Sequence, residues 1–353
     1  MASAERSRDS WEANSPIQAE EADEVEETPE ARRKWGGQYG DYNFAGLLYN
    51  HVASTLDGDQ GFLISPLGIS QALGLLLFAV GPKSAAEIDG LLFPKGANAS
   101  GLRPRHFLQS GKLTYATVAS LRPDVYIDPG FLTDAAELDS YVYRTHFARR
   151  DLKSLNTFLK SKSQGIDVNL QYLLDDYYPA NRLLFFNVLE FEAQFSALLL
   201  ILLPIRKASV QMVERRLSTV DVRKLRSRLN ITLMNISLPK VEIRQLLQLR
   251  EPLRKAGITT AFNKTTADLN AFRTELPLDD VIVFTKINIF SQGINVGTSN
   301  TTKSEQIAQQ ETDNERAFVR EEKPLQFEAL RPFIYAVVDS RHVYLMGRHI
   351  PTL

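Results

Sequence analysis

The sequence predicts a soluble globular protein of the mixed α/β class. Its 353 residues are 44% hydrophobic and 24% charged, a composition that excludes collagen-like, low-complexity and fully disordered chains. Apolar residues at helical spacing dominate the first half, whereas the second half contains short apolar runs with few charges, which are typical of buried strands. The length suits either two ordinary domains or one large one.

The chain opens with an acidic segment that we expect to be a disordered tail over residues 1–38. An acidic run extends from Glu20 to Glu30 and is followed by Arg32, Arg33 and Lys34. Such a segment cannot bury enough apolar surface to order itself. We therefore expect the globular domain to cover residues 39–353.

Seven segments show the apolar spacing or the end signals of helices. The one after Pro66 is apolar nearly all round, which indicates a buried helix. Ser84 and Glu87 form a capping box that opens the next helix, and Gly257 is expected to close a later one as its C-terminal cap. The predicted helices cover residues 41–55, 66–80, 131–145, 155–162, 209–229 and 246–255, together with the helix that Ser84 opens.

Eight segments alternate in polarity or are uniformly apolar, as strands are. Residues 182–191 and 197–203 carry few charges, so we expect them at the centre of a sheet. Residues 291–323 are polar and aperiodic, and so long a stretch inside a compact protein is usually functional or disordered. The predicted strands cover residues 61–66, 113–127, 182–191, 197–203, 231–241, 281–289, 333–338 and 342–346.

The charge balance and the absence of cysteine narrow the possible functions. Forty-one Lys and Arg residues against forty-two Asp and Glu residues leave a net charge of −1, which gives no electrostatic reason to expect a nucleic-acid partner. Without cysteine the chain has no disulfide, thiolate nucleophile or cysteine-based metal site. The longest apolar run, 197–203, is too short to span a bilayer. We expect neither a membrane partner nor a bound cofactor or metal.

Five N-glycosylation sequons favour a secreted, extracellular chain. They begin at Asn98, Asn230, Asn235, Asn263 and Asn300. No signal peptide is visible, so we expect this N-terminus to be a mature or engineered one.

The sequence carries no motif of a catalytic site. Phosphate-binding glycine loops, the GxSxG elbow and the HExxH zinc motif are absent, and none of the five histidines lies in a motif that would position it as a base. The adjacent carboxylates Asp175 and Asp176, like Asp279 and Asp280, would point to opposite faces of a strand and could not share a proton. We expect no enzymatic activity.

Two basic clusters are candidates for binding a polyanion such as a heparin-like glycan, although a solvated helix face is the simpler interpretation. Aromatic residues that could stack on nucleic-acid bases are not interleaved with them. The clusters are Arg144, Arg149, Arg150 and Lys153, and Arg223, Lys224, Arg226 and Arg228.

From about Asn43 to Pro351, a series of short segments resembles the serpin family, in the family's order. Ile64-Ser65-Pro66-Leu67-Gly68-Ile69 is similar to the strand-to-helix segment of the family's shutter, and 187–191 to the central strand that carries the shutter asparagine. The other similar segments are 84–88 with 92–93, 155–158 with 164–166, 237–240, 257–262 with 267–269, 331–333 and 345–348.

The resemblance implies one domain of three β-sheets and eight or nine helices, with Ser65 and Asn187 as shutter residues. It also implies an exposed reactive-centre loop at about residues 297–325. In inhibitory members a serine protease cleaves this loop, which then enters the main sheet as a new strand and traps the protease.

One departure from the family pattern follows Phe195. The chain continues there at once into residues 196–200, and on the order of fifty expected residues, several strands at typical strand length, are absent. We therefore expect a partly truncated fold with exposed sheet edges and an incompletely covered core.

The loop hinge is the second departure. It reads Gly297-Thr298-Ser299-Asn300-Thr301-Thr302-Lys303-Ser304, whereas inhibitory members use small apolar residues whose alternate side chains become buried on insertion. Burying Asn300 without a partner would be costly. The resemblance therefore favours a secreted, non-inhibitory serpin, a carrier or precursor on the angiotensinogen branch, to which Gln309-Gln310 and 331–337 are similar.

The alternative is an inhibitor of trypsin-like, thrombin-like serine proteases. The bond offered to the protease would be Arg316–Ala317, or as second choice Arg320–Glu321, since arginine suits the acidic specificity pocket of such enzymes. The acidic tail would then contact a protease exosite and a basic cluster a heparin-like glycan. Under either hypothesis we expect a monomer.

Overall fold

The structure of the protein is a computed structural model. It describes residues 38–92, 112–170, 183–192, 198–205, 209–217, 225, 229–230, 232, 234–239, 241–272, 276–290, 293–294, 324–338 and 343–351. The chain divides into the units Met1–Trp35 and Gly36–Leu353, and all described elements belong to the second. No helix within these ranges is long and apolar enough to cross a bilayer. The predicted tail lies outside them except for Gln38.

Helices and strands are mixed along the described part of the chain, which ends in five successive strands. The helices are α1 Gln38–Ala53, α2 Pro66–Leu77, α3 Pro82–Leu92, α4 Pro129–Glu137, α5 Arg149–Lys162, α6 Val210–Leu217 and α7 Arg250–Lys255, with a 3₁₀ turn at Asn270–Phe272. The strands are β1 Phe62–Ile64, β2 Lys112–Leu121, β3 Ser140–Arg144, β4 Leu183–Glu192, β5 Leu198–Leu202, β6 Met234–Ser237, β7 Val241–Gln248, β8 Asp280–Phe290, β9 Gly293–Ile294, β10 Leu325–Glu328, β11 Phe333–Val338 and β12 Val343–His349.

The strands form three sheets. The largest, which we call the main sheet, has the order β3-β2-β4-β8-β7, with β9 beside β8. A second sheet has the order β1-β12-β11-β5, and β10 pairs with β6 in a third. These sheets confirm the predicted mixed α/β, multi-sheet fold.

The main sheet is buried on both faces, as the apolar strands β4 and β8 require. Phe185 and Val281 belong to the large core that also contains residues of α1 and α2. Their neighbours Phe186 and Ile282 face the opposite way, into a second core with residues of α5. Successive side chains of a strand point to opposite faces, so each strand contributes to both cores.

Helix α2 is buried along nearly its whole length, as its apolar composition predicted. It begins where expected, because the Ser65 hydroxyl caps its first turn and Pro66 occupies the first helical position. The cap brings the start of α2 beneath the middle of the main sheet, where the candidate site lies.

The predicted helix 131–145 is wrong in its second half. Helix α4 ends at Glu137, Asp139 adopts a left-handed conformation (φ 49°), and a strand follows. Tyr141 to Tyr143 pair in parallel with β2, since aromatic and β-branched residues suit a strand that has a partner.

The predicted helix 246–255 begins too early for a similar reason. Leu246 to Gln248 extend β7, because they pair with Phe284 to Ile282 of β8, and α7 starts only at Arg250. Gly257 does adopt a left-handed conformation after that helix (φ 106°), as predicted for its cap. In the predicted helix 209–229, α6 ends at Leu217.

The capping box predicted at Ser84 is also wrong. Helix α3 begins at Pro82, so Ser84 lies within its first turn. The cap comes from a distant side chain: Asp268 Oδ2 accepts hydrogen bonds from the backbone N–H groups of Lys83 (3.1 Å) and Ser84 (3.3 Å). A long-range contact has replaced the local one.

Candidate functional site

The candidate site centres on the contact between β4 and β8, which we call the seam. The two strands pair in parallel from Leu184 opposite Asp280 to Glu190 opposite Lys286. They are direct neighbours in the main sheet, although they are about a hundred residues apart in the chain. A further strand could enter here only if this row of hydrogen bonds separated.

Where the seam ends, at Glu190 and Lys286, one face of the sheet is buried and the other is partly exposed. Leu189, Phe191 and Ile287 belong to a third apolar cluster and are at most 3% exposed. On the other face, Glu190 and Lys286 form an ion pair with side chains 21% and 22% exposed. The pair joins β4 to β8 at the last registered position, so it stabilises the closed seam.

The predicted shutter residue Ser65 links three parts of the fold. Its Oγ accepts a hydrogen bond from the backbone N–H of Gly68 (2.9 Å) and donates one to the carbonyl oxygen of Tyr344 in β12 (2.8 Å). The residue is fully buried. Its hydroxyl therefore caps α2 and binds the start of this helix to β12.

The other predicted shutter residue, Asn187, lies on β4 and is fully buried. Its Nδ2 donates to Thr117 Oγ1 on β2 (2.9 Å) and to Gln71 Oε1 on α2 (3.2 Å). Asn187 Oδ1 and Gln71 Nε2 have no hydrogen-bond partner. The cluster thus joins helix and sheet by a polar contact that is only partly satisfied, which makes it sensitive to small shifts.

Ser65 and Asn187 are brought together at Gly68. A Cβ placed on Gly68 would lie 2.2 Å from Asn187 Oδ1 and 3.2 Å from Ser65 Oγ. Sequence analysis did not predict the roles of Thr117 and Gln71 or this close approach, because all three depend on long-range packing.

Of the predicted loop at 297–325, all residues but Pro324 and Leu325 fall outside the described part of the chain, and Leu325 is the first residue of β10. The gap covers residues 295–323, between β9 and β10. It contains the predicted hinge (Gly297, Thr298, Asn300, Thr302) and both predicted scissile bonds (Arg316–Ala317, Arg320–Glu321). These assignments remain predictions.

In the first basic cluster, Arg144 is less available to bind a polyanion than predicted. Arg144 Nη1 donates hydrogen bonds to the carbonyl oxygens of Pro123 (2.9 Å) and Val125 (2.9 Å), so this guanidinium binds the loop after β2. The side chains of Arg149 and Arg150, and all four residues of the second cluster, lie outside the described residues.

Three of the five predicted glycosylation sites are described, and all three are exposed. They are Asn230, Asn235 and Asn263, whereas Asn98 and Asn300 lie outside the described ranges. Asn263 Oδ1 accepts hydrogen bonds from the backbone N–H (2.9 Å) and the hydroxyl (2.8 Å) of Thr265, so the sequon forms a compact exposed turn.

Sequence analysis did not predict the buried ion pair between Arg348 and Glu214. Arg348 donates to both oxygens of Glu214 (3.0 and 3.3 Å), and Tyr49 Oη donates to Glu214 Oε1 (2.9 Å). Burial and the nearby carboxylate of Glu214 raise the pKa of Tyr49 well above its usual value. The phenol therefore stays protonated and keeps donating, and the cluster joins α1, α6 and β12.

The described residues contain no group of three side chains that could hold a metal ion. The candidate site contains a serine hydroxyl that already makes two hydrogen bonds, two side-chain amides and one ion pair. None of these groups is a nucleophile beside a base. The arrangement is therefore structural: β4 and β8 either stay paired or separate.

Comparisons with known proteins agree with this architecture. A sequence model of the serpin (serine protease inhibitor) family matches residues 143–351. No curated protein sequence matches the chain significantly.

Solved structures resemble the chain over nearly its full length at low identity. Human thyroxine-binding globulin shares 17% identity over 90% of this chain and 98% of its own, with a TM-score of 0.73. The mouse protein Z-dependent protease inhibitor shares 14% over 91% and 99%, with a TM-score of 0.73. Serpin48 of the insect Tenebrio molitor shares 16% over 92% and 99%, with a TM-score of 0.67. At such identities the likeness establishes the fold.

Proposed function

Since this chain belongs to the serpin (serine protease inhibitor) family, we propose that it is a secreted, non-inhibitory member, a carrier or precursor similar to angiotensinogen. The observation that carries the proposal is the closed seam between β4 and β8, which is buried on one face beside Leu189 and Ile287. In the family, inhibition requires the cleaved loop to enter the main sheet as an added strand, and this seam is where the strand would enter.

The hinge sequence does not suit that face. A strand beside Leu189 and Ile287 would have to direct alternate side chains into a cluster that is at most 3% exposed. One register buries Thr298, Asn300 and Thr302, and the other buries Ser299, Thr301 and Lys303.

Either register is costly. An unpaired polar side chain costs about 1–3 kcal/mol when it is buried in a protein, and an unpaired charge such as that of Lys303 costs more. Insertion must also break the row of hydrogen bonds between β4 and β8 and the Glu190–Lys286 ion pair. We therefore expect the cleaved loop to stay outside the sheet.

Incubation with trypsin tests the proposal. We expect cleavage of the loop without an SDS-stable complex and without a rise in the thermal unfolding midpoint. The double variant Asn300→Ala with Lys303→Ala is the matched control, because it removes the costliest side chain from each register. A rise in the midpoint of the cleaved variant alone would assign the failure to the hinge.

The opposite outcome supports the second candidate function, inhibition of trypsin-like proteases. Membership of a family of serine protease inhibitors favours it, as do Arg316 and Arg320 within the loop. An SDS-stable complex of the unaltered chain, with cleavage after either arginine, would refute the non-inhibitory proposal. Loss of that complex in Arg316→Ala but not in Arg320→Ala would identify the scissile bond.

Secretion is part of the proposal and rests on the exposed sequons. We expect glycans on Asn230 and Asn263, since both lie on exposed turns or loops rather than in a strand. Expression through a secretory pathway followed by enzymatic deglycosylation should lower the mass of the chain. No mass change would contradict the extracellular assignment.

We also propose that the chain lacks the residues expected after Phe195. In support, β5 begins at Leu198, six positions after β4 ends at Glu192. Among the described strands β5 pairs only with β11, which leaves β5 at an edge. Limited proteolysis that cuts first at residues 193–197 would support this, because an unsupported connection is cut readily.

A further inference from the structure

A cavity of about 780 Å³ lies at the edge of the main sheet, beside β7. We call it the β7 cavity. Its walls come from the end of α1, the residues after α5, strand β7 and the start of α7. Its volume is in the range of sites that hold small organic ligands, roughly 300–1,000 Å³.

One part of the β7 cavity is apolar. Val52 and Pro252 contribute from one side of the sheet and Val168 and Phe284 from the other, and all four are buried residues. Leu246 on β7 is half-buried between them. Such residues favour contact with the hydrocarbon or aromatic body of an organic molecule.

The carboxylates of the cavity already have partners. Asp280 Oδ1 accepts three backbone N–H bonds. Asp167 accepts from Asn156 and lies 3.7 Å from the ammonium of Lys160. Glu251 pairs with Arg254 at 3.1 Å. These acids therefore already have hydrogen-bond or ion-pair partners within the protein.

The arginines supply the positive side of the cavity. The backbone N–H of Arg250 is bound by Asp280 (2.7 Å), and one guanidinium nitrogen donates to the carbonyl oxygen of Asp279 (3.3 Å). These bonds position a half-buried guanidinium against the cavity, with Arg244 on the β7 wall. A guanidinium presents a fork of donors that matches a carboxylate or sulfonate.

We propose that the β7 cavity binds an amphipathic organic anion, with its apolar body against Leu246 and Phe284 and its acidic head on Arg250. None of the residues that line the cavity belongs to the segment 291–323. The proposed binding therefore does not depend on whether the loop inhibits a protease.

Fluorescence titration of the full chain tests the proposal with two probes of similar shape. One is the anion 8-anilinonaphthalene-1-sulfonate, and the other is the uncharged N-phenyl-1-naphthylamine. We expect one saturable site for the anion. Arg250→Gln should weaken anion binding at least tenfold, since a hydrogen bond to a charged group is worth about 1.5–3 kcal/mol, and should leave the neutral probe unaffected.

Three further variants complete the test. Leu246→Trp fills the cavity and should abolish binding of both probes; Val168→Phe does the same from the opposite wall if the first variant fails to fold. Arg122→Gln, which removes a surface arginine outside the cavity, should change nothing.

Three results would overturn the proposal. They are no saturable anion binding, equal anion affinity in Arg250→Gln, or unchanged binding in a folded cavity-filled variant. The protease incubation reports on the loop and this titration on the cavity, so each can fail alone.

Discussion

Replacing Arg348 by Met should destabilise the protein more than a replacement at any surface arginine. The guanidinium is 1% exposed and lies against Glu214, whose side chain is 8% exposed. It also donates to the carbonyl oxygens of Asp57 (2.7 Å) and Gln60 (2.7 and 2.9 Å) and covers the Phe62 ring at 5.2 Å. Met retains much of the volume but none of these donors.

The expected loss follows from what the change leaves behind. Removing one partner of a buried pair leaves an uncompensated charge and costs about 3–5 kcal/mol. Two carbonyl oxygens lose their charged donor as well, so we expect about 4 kcal/mol. For a chain of this size that is a fall of roughly 8 °C in the thermal midpoint, at about 2 °C per kcal/mol.

Urea unfolding followed by circular dichroism, together with the thermal midpoint, measures the effect. The double variant Arg348→Met with Glu214→Leu should recover at least half of the loss, because it removes the stranded carboxylate. Arg122→Met is the surface control, since its pair with Asp124 is exposed and worth about 1 kcal/mol or less. A loss within 1 kcal/mol for Arg348→Met, or strictly additive losses in the double variant, would refute the reasoning.

Two further predictions concern packing and pH. Gly68→Ala should cost about 1–3 kcal/mol in urea unfolding, because its Cβ would lie 2.2 Å from Asn187 Oδ1. Gly74→Ala in the same helix meets nothing within 4 Å and should gain about 0.5–1 kcal/mol; equal effects would contradict the argument. Burial acts to raise the pKa of Glu87, but hydrogen bonds from Thr260 and Thr259 outweigh it and lower that pKa. Glu87 therefore adds stability above the unfolded-state pKa, about 4.3, and loses it as the pH falls through the lowered value. The stability difference between the protein and Glu87→Gln should thus be largest near pH 7 and should close below about pH 4; a difference that stays constant across this range would contradict it.

The elements that sequence analysis predicted well are those with a strong local signal. Residues 182–191 carry few charges and form β4 at the centre of the main sheet. The run after Pro66 has its cap and its apolar faces in sequence, and α2 forms as expected. Ser65 and Asn187 came from the family resemblance, and their assignment as shutter residues stays a prediction; both lie close to Gly68.

The failures share a physical cause, which is that a distant partner decided the local structure. Leu246 to Gln248 fit a helical pattern but pair with β8. Ser84 has the local residues of a cap, yet Asp268 binds its backbone from 184 positions away. The Glu214–Arg348 pair has a separation of 134 residues, and no spacing rule connects such positions.

The place of β12 in its sheet has a consequence for how the protein is made. This strand lies between β1 and β11, so Phe62 pairs with Arg348 across most of the chain. During translation β1 leaves the ribosome long before β12, the strand with which it pairs. Until β12 has emerged, the nascent polypeptide carries an unpaired apolar strand, and such a strand exposes the chain to aggregation.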